Sequence, residues 1–162
     1  MRLRAYTRGL PVALVAAAVI VTGVRGLDRL SQPFEVHREQ RVSVAVSELR
    51  KLVAPRETVQ VMGPSGAHVL LRLGLRQPTR FFTDFQFFLG AADPRIQGLR
   101  AEFMTGLEAA PPAAIVMFPE RASAGPYARL DEFPALAALL ERRYRVAVDG
   151  TSYRIYARRP GA

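Results

Sequence analysis

The chain has 162 residues, with 23 Lys and Arg against 14 Asp and Glu for a formal charge of +9, and it contains no cysteine and no tryptophan. That length suits one domain, or a smaller domain with an appendage, and the missing thiols exclude disulfide frameworks, cysteine zinc sites, iron–sulfur clusters and thiol nucleophiles. The charge points to anionic partners, while two histidines, His37 and His68, are too few for a His-rich metal site.

In chain order, residues 1–34 carry five arginines against the single acid Asp28, and between Arg8 and Arg25 runs an uncharged stretch from Gly9 to Val24. Sixteen helical residues cover about 24 Å, short of the roughly 30 Å of hydrocarbon, but flanking arginines can snorkel. A cleaved signal peptide, a buried core helix and a retained membrane span compete for this segment. The small-residue cleavage pattern is missing after Val21, and the alanine–valine run is a poor amphipathic helix. The retained span therefore fits best, with the basic amino end weakly favouring the cytoplasm. Residues 1–30 are expected as leader and span, 31–54 as an amphipathic connecting helix, and 55–162 as an extracytoplasmic domain.

Within residues 34–54, Val42, Ala45, Val46, Leu49, Leu52 and Val53 recur at helical spacing before Pro55. Thr58–Met62 reads as a short strand and Gly63-Pro-Ser-Gly66 as a turn, from which Ser65 caps a helix through Gly74. A second strand is expected at Thr79–Thr83. Asp93-Pro94 starts a helix that runs to about Glu108. After the break at Pro111-Pro112, Ala113–Phe118 is a continuous apolar run of the kind buried in a parallel sheet. Glu120–Arg129 is a polar loop, and Asp131 opens a helix through Arg143. Tyr144–Val148 and Ser152–Ala157 then alternate across Asp149-Gly150, a hairpin signal. The expected fold is a small three-layer α/β sandwich with a mostly parallel sheet and a C-terminal antiparallel hairpin, preceded by one transmembrane helix.

Gly63, Ser65 and Gly66 lie where a strand-to-helix turn can offer backbone N–H groups to phosphate, but the Lys-Ser/Thr of a P-loop and the three-glycine dinucleotide pattern are missing. An ordinary turn that needs glycine is the plainer reading. His68, in the first turn of the following helix, is a weak candidate base. No nucleophile elbow and no acid pair stands out, so an independent enzyme has little behind it, and no cofactor is expected. Two features remain. Phe81-Phe-Thr-Asp-Phe-Gln-Phe-Phe88 holds five phenylalanines in eight residues, either core or a loop at a membrane interface or acyl groove. Arg142, Arg143, Arg145, Arg154 and Arg158 concentrate on the last helix and hairpin, either as a solvated edge or as a face for lipid phosphate. Nucleic acid is disfavoured, because a membrane span would hold the domain away from it and no RNA- or DNA-binding signature is present.

The order of the pieces resembles a known family. It is carried by Val59-Gln-Val-Met-Gly63, by Arg76-Gln-Pro-Thr-Arg-Phe81 with Pro78, Thr79 and Arg80, and by Pro111 and Pro112. Phe133-Pro134, Tyr144 and Tyr153-Arg-Ile-Tyr-Ala-Arg158 complete it. This looks like the C-terminal extracytoplasmic domain, with the last membrane helix, of bacterial glycosyltransferase family 39 proteins, akin to protein mannosyltransferases. The resemblance implies a single-pass protein of the bacterial plasma membrane. It also implies membrane lipid, a polyprenyl-phosphate-linked sugar and a multi-spanning catalytic subunit as partners. The family's catalytic acids belong to a membrane domain that this chain lacks, so no position here inherits a catalytic role. The alternative is a single-pass binding module that recognises anionic lipid or lipid-linked phosphate through the basic hairpin.

Overall fold

The computed structural model describes residues 34–90, 92–119, 127–150 and 152–161. Helix α1 (Phe34–Leu52) leads into strand β1 (Val59–Met62), helix α2 (Gly66–Leu73), a 3-10 turn at Phe85–Phe88 and helix α3 (Pro94–Ala109). Strand β2 (Ala114–Met117), a second 3-10 turn at Ala128–Leu130, helix α4 (Pro134–Arg143) and strands β3 (Tyr144–Asp149) and β4 (Arg154–Arg158) follow. The expected span at residues 9–24 lies outside the described residues. Among those described, no helix is long and apolar enough to cross a membrane.

The four strands form one mixed sheet in the order β1-β2-β4-β3. β1 and β2 run parallel with Val59 opposite Ala114, whereas β2–β4 and β4–β3 are antiparallel. Of the three pairings only one is parallel, so the expectation of a mostly parallel sheet is corrected. The missing parallel strand is the one expected at Thr79–Thr83, which is irregular. This segment runs beside β1, where Val59 donates its N–H to the Arg76 carbonyl. No ladder follows, for two local reasons. Pro78 has no N–H to donate, and the Phe81 carbonyl is taken by the side chain of Gln60 at 3.2 Å.

Helices cover both faces of the sheet. On one face Val42, Ala45, Val46 and Leu49 of α1 and Val69 and Leu70 of α2 pack against Val59, Val61, Ala114, Val116 and Ile155. The i, i+3, i+4, i+7 spacing in α1 puts its four residues on one stripe. On the other face Phe103 and Leu107 of α3 and Leu136, Leu139 and Leu140 of α4 cover Met62, Ile115, Met117 and Tyr156. β1 and β2 are buried along their whole length, as an apolar run covered on both faces should be.

Three boundaries differ from expectation. Helix α4 begins at Pro134 rather than Asp131, because the 3-10 turn occupies 128–130 and proline at the first helical position fixes the start. In the hairpin β3 extends to Asp149, which pairs with Arg154, so the connection is residues 150–153 rather than the 149–151 between the expected strands. The register slips by one between Val146 and Val148, making Ala147 the extra residue of a bulge. Asp93, by contrast, caps α3 as expected, its carboxylate accepting from Arg95 N at 2.8 Å.

Candidate functional site

The carboxyl ends of β1 and β2 are where an α/β sheet ordinarily presents its loops to a ligand. Here β1 passes through Gly63 into α2. Gly63 has φ +104°, and a Cβ there would lie 2.9 Å from the Phe118 carbonyl oxygen. A Cβ on Gly66 would meet the Phe82 carbonyl oxygen at 2.7 Å. Both glycines are therefore required by close approach of protein backbone. Ser65 stands at the capping position of α2, yet its side chain makes no capping hydrogen bond. The Gly66 N–H is already bonded to the Gly63 carbonyl at 3.1 Å, so it is not offered to an anion. His68 is exposed on the next turn, in a shallow recess with Glu39, Val42 and Arg72.

The five basic residues singled out in the sequence do not form one site. Arg154 starts β4 opposite Met117, at the Gly63 end of the sheet, while Arg158 donates its backbone N–H to the Ala113 carbonyl at the other end. Four residues of strand separate them by about 13 Å. Each guanidinium is engaged by the protein. Arg154 bonds Asp149 at 2.8 Å and stacks on the Tyr127 ring at 4.0 Å. Arg158 reaches the Pro111 carbonyl at 2.8 Å and Glu57 at 3.4 Å. Arg142 and Arg145 are exposed and Arg143 is half-buried, beside the Tyr144 end of β3.

The positions that carry the family resemblance hold the fold together. Thr79 donates to Gln60 Oε1 at 2.8 Å and packs its methyl over Gly106. Arg80 grips Glu102 through two bonds of 2.5 and 2.8 Å, which holds the Glu102 carboxyl below its ordinary range. Pro111 receives Arg158, and Pro112 accepts the Tyr144 hydroxyl at 3.1 Å. Phe133 is buried just before Pro134 opens α4, and Tyr153 packs its ring on Phe118. Pro78 leaves the edge of β1 unladdered.

Around the phenylalanine-rich segment, the structure gathers groups the sequence reading passed over. Asp84 is buried, with Arg129 at 4.0 Å, and burial pushes its carboxyl above the usual range. Arg100 is also buried. It donates Nε to the Phe87 carbonyl at 2.9 Å and stacks on Phe133 at 4.7 Å, while its Nη2 has no hydrogen-bond partner among the described residues. It borders an open groove of about 390 Å³ with Gln97, Met104 and Pro134. Tyr127 donates its hydroxyl to the Gly150 carbonyl, and burial raises its phenol to about 12. Only Asp84 carried a sequence signal, as the lone acid in an aromatic run.

Chemically, this end of the sheet is a packed corner of aromatic rings and paired charges. Among the described residues no group of three or more His, Asp or Glu side chains is placed to hold a metal ion. Comparison with protein-family models, with curated proteins and with solved structures returned no match for this chain.

Proposed function

We propose that the chain is a membrane-anchored extracytoplasmic domain like the C-terminal part of the family 39 glycosyltransferases. In this reading it works beside a multi-spanning catalytic subunit and has no transfer activity of its own. The observation that carries this is how the resemblance positions are used. Thr79, Arg80, Pro111, Pro112, Phe133, Tyr144 and Tyr153 all serve packing or internal hydrogen bonds. Positions used in this way support an accessory domain, one that does not supply chemistry. The uncharged run from Gly9 to Val24, bounded by arginines, supports attachment to the bacterial plasma membrane.

The test is purification of the full chain from its native membranes in mild detergent. A multi-spanning protein should accompany it, and sugar transfer from a polyprenyl-phosphate donor should occur in the joint fraction and be absent from the chain alone. Transfer by the isolated chain, or purification without any membrane partner, overturns the proposal. Recognition of lipid phosphate at the basic end of α4 and the hairpin draws its support from Arg142 and Arg145, which are exposed. A double Ala substitution there should weaken binding to anionic vesicles if that reading is right.

A further inference from the structure

Arg100 is buried, 6% exposed, and forms no ion pair among the described residues. Its guanidinium lies 4.7 Å from the Phe133 ring centre and 5.7 Å from that of Phe88. Nε donates to the Phe87 carbonyl at 2.9 Å, but Nη2 is enclosed without an acceptor. The buried acid of the same corner, Asp84, is paired with Arg129 at 4.0 Å instead. A buried donor without an acceptor is destabilising, and a buried charge without a partner is more so. Such a group calls for an acceptor from outside the chain.

The groove that Arg100 borders is built to bring one. Its α3 wall is the stripe Gln97, Arg100, Ala101 and Met104, at i, i+3, i+4, i+7 spacing. Its other wall is Phe133, Pro134 and Ala135, the start of the ten-residue helix α4. Phe133 gives that helix no side-chain cap, and Pro134 has no N–H. Leu136 and Ala137 both donate to the Phe133 carbonyl, which leaves the Ala135 N–H without an acceptor among the described residues. An uncapped helix start favours negative charge. Asp131 and Glu132, the acids that precede it, are exposed and are not walls of the groove.

We infer that the α3–α4 groove binds a small monocarboxylate. The carboxylate meets Arg100 and the start of α4, and the apolar body lies along Ala101, Met104 and Phe133. Arg100 is the one cation in the walls, so it balances a single negative charge, and its planar fork matches a carboxylate. A phosphate dianion would need more positive charge than the groove holds. The volume of about 390 Å³ falls in the range of small-molecule sites. Nη2 is shielded from water, so binding requires the wall to yield; Met104, unbranched and flexible, is suited to that. This site goes beyond the membrane reading above and does not depend on it.

The chain has four methionines, so labelling the full chain with methyl-13C-methionine gives a simple spectrum. Met104 lines the groove, whereas Met62 and Met117 are buried in the sheet. Titration with hexanoate should shift the Met104 methyl saturably and leave Met62 and Met117 in place. Hexanamide, of the same shape without the charge, should bind at least about tenfold more weakly, and inorganic phosphate should not shift Met104. Ala101→Trp, at an exposed position, fills the groove without touching the core and should abolish the shift. Arg100→Lys keeps the charge, loses the fork and should weaken binding about tenfold. Absence of saturation up to about 10 mM hexanoate overturns the inference. Equal binding of hexanamide, an equal response to phosphate, or a Met104 shift that survives Ala101→Trp overturns it as well.

Discussion

Gly66 and Gly98 illustrate how unequal two glycines can be. A Cβ at Gly66 would sit 2.7 Å from a backbone oxygen, whereas at Gly98, inside α3, it would meet nothing within 4 Å beyond the helix's own backbone. Gly66→Ala should therefore destabilise the domain by about 2 kcal/mol or more, as overpacking does. Gly98→Ala should stabilise it by about 0.5–1 kcal/mol through helix propensity, and denaturant titration of the pair will show the opposite signs. Asp84 and Tyr127 each contribute to pH dependence. Burial raises both groups above their ordinary values. The protonated forms are thus favoured in the fold, and each contribution is full below the unfolded-state pKa and lost as pH climbs through the folded one. Asp84 stabilises on the acid side, so Asp84→Asn should flatten the thermal stability profile there. Tyr127 acts only on the alkaline side, and Tyr127→Phe should remove a phenol ionisation near 12 from a spectrophotometric titration.

At the scale of elements, strands and helices with strong local signals were legible in the sequence. The apolar runs of β1 and β2, the striped α1 and the Asp93-Pro94 start of α3 each carry their own physical instruction. What was not legible depended on partners far along the chain. The segment 79–83 has strand composition, but its potential ladder is pre-empted by Gln60, whose amide is wholly buried and bonded to Thr79 and Phe81. Gln60→Leu should leave the Thr79 hydroxyl and Phe81 carbonyl without these partners and cost about 1–3 kcal/mol. The aromatic cluster was visible only as composition. Which phenylalanines face inward was set by α3, which places Phe103 between Phe81, Phe87 and Phe133. Phe103→Ala should cost about 3–5 kcal/mol, while Phe85→Ser should change stability by less than about 0.5 kcal/mol. Calorimetry on both variants separates the buried from the exposed member of one motif.

For the whole molecule, the sheet has two different faces. One is closed by aliphatic side chains of α1 and α2; the other is closed by Phe103 and Leu107 of α3 and by leucines of α4, together with Phe81, Phe87 and Phe133. The candidate site was less legible than the fold. Arginine counts suggested one basic hairpin face, but strand geometry sends Arg154 and Arg158 to opposite ends and pairs each internally. The positive charge nonetheless fits an anionic membrane surface, provided the chain is held there by its leader. Alkaline carbonate extraction of membranes containing the full chain tests that most directly, alongside a Val15→Arg/Val19→Arg variant. Each arginine at the centre of a span costs about 2.5–3.5 kcal/mol. The account predicts that the full chain stays with the membrane pellet and that the double variant is released; release of the unaltered chain would contradict it.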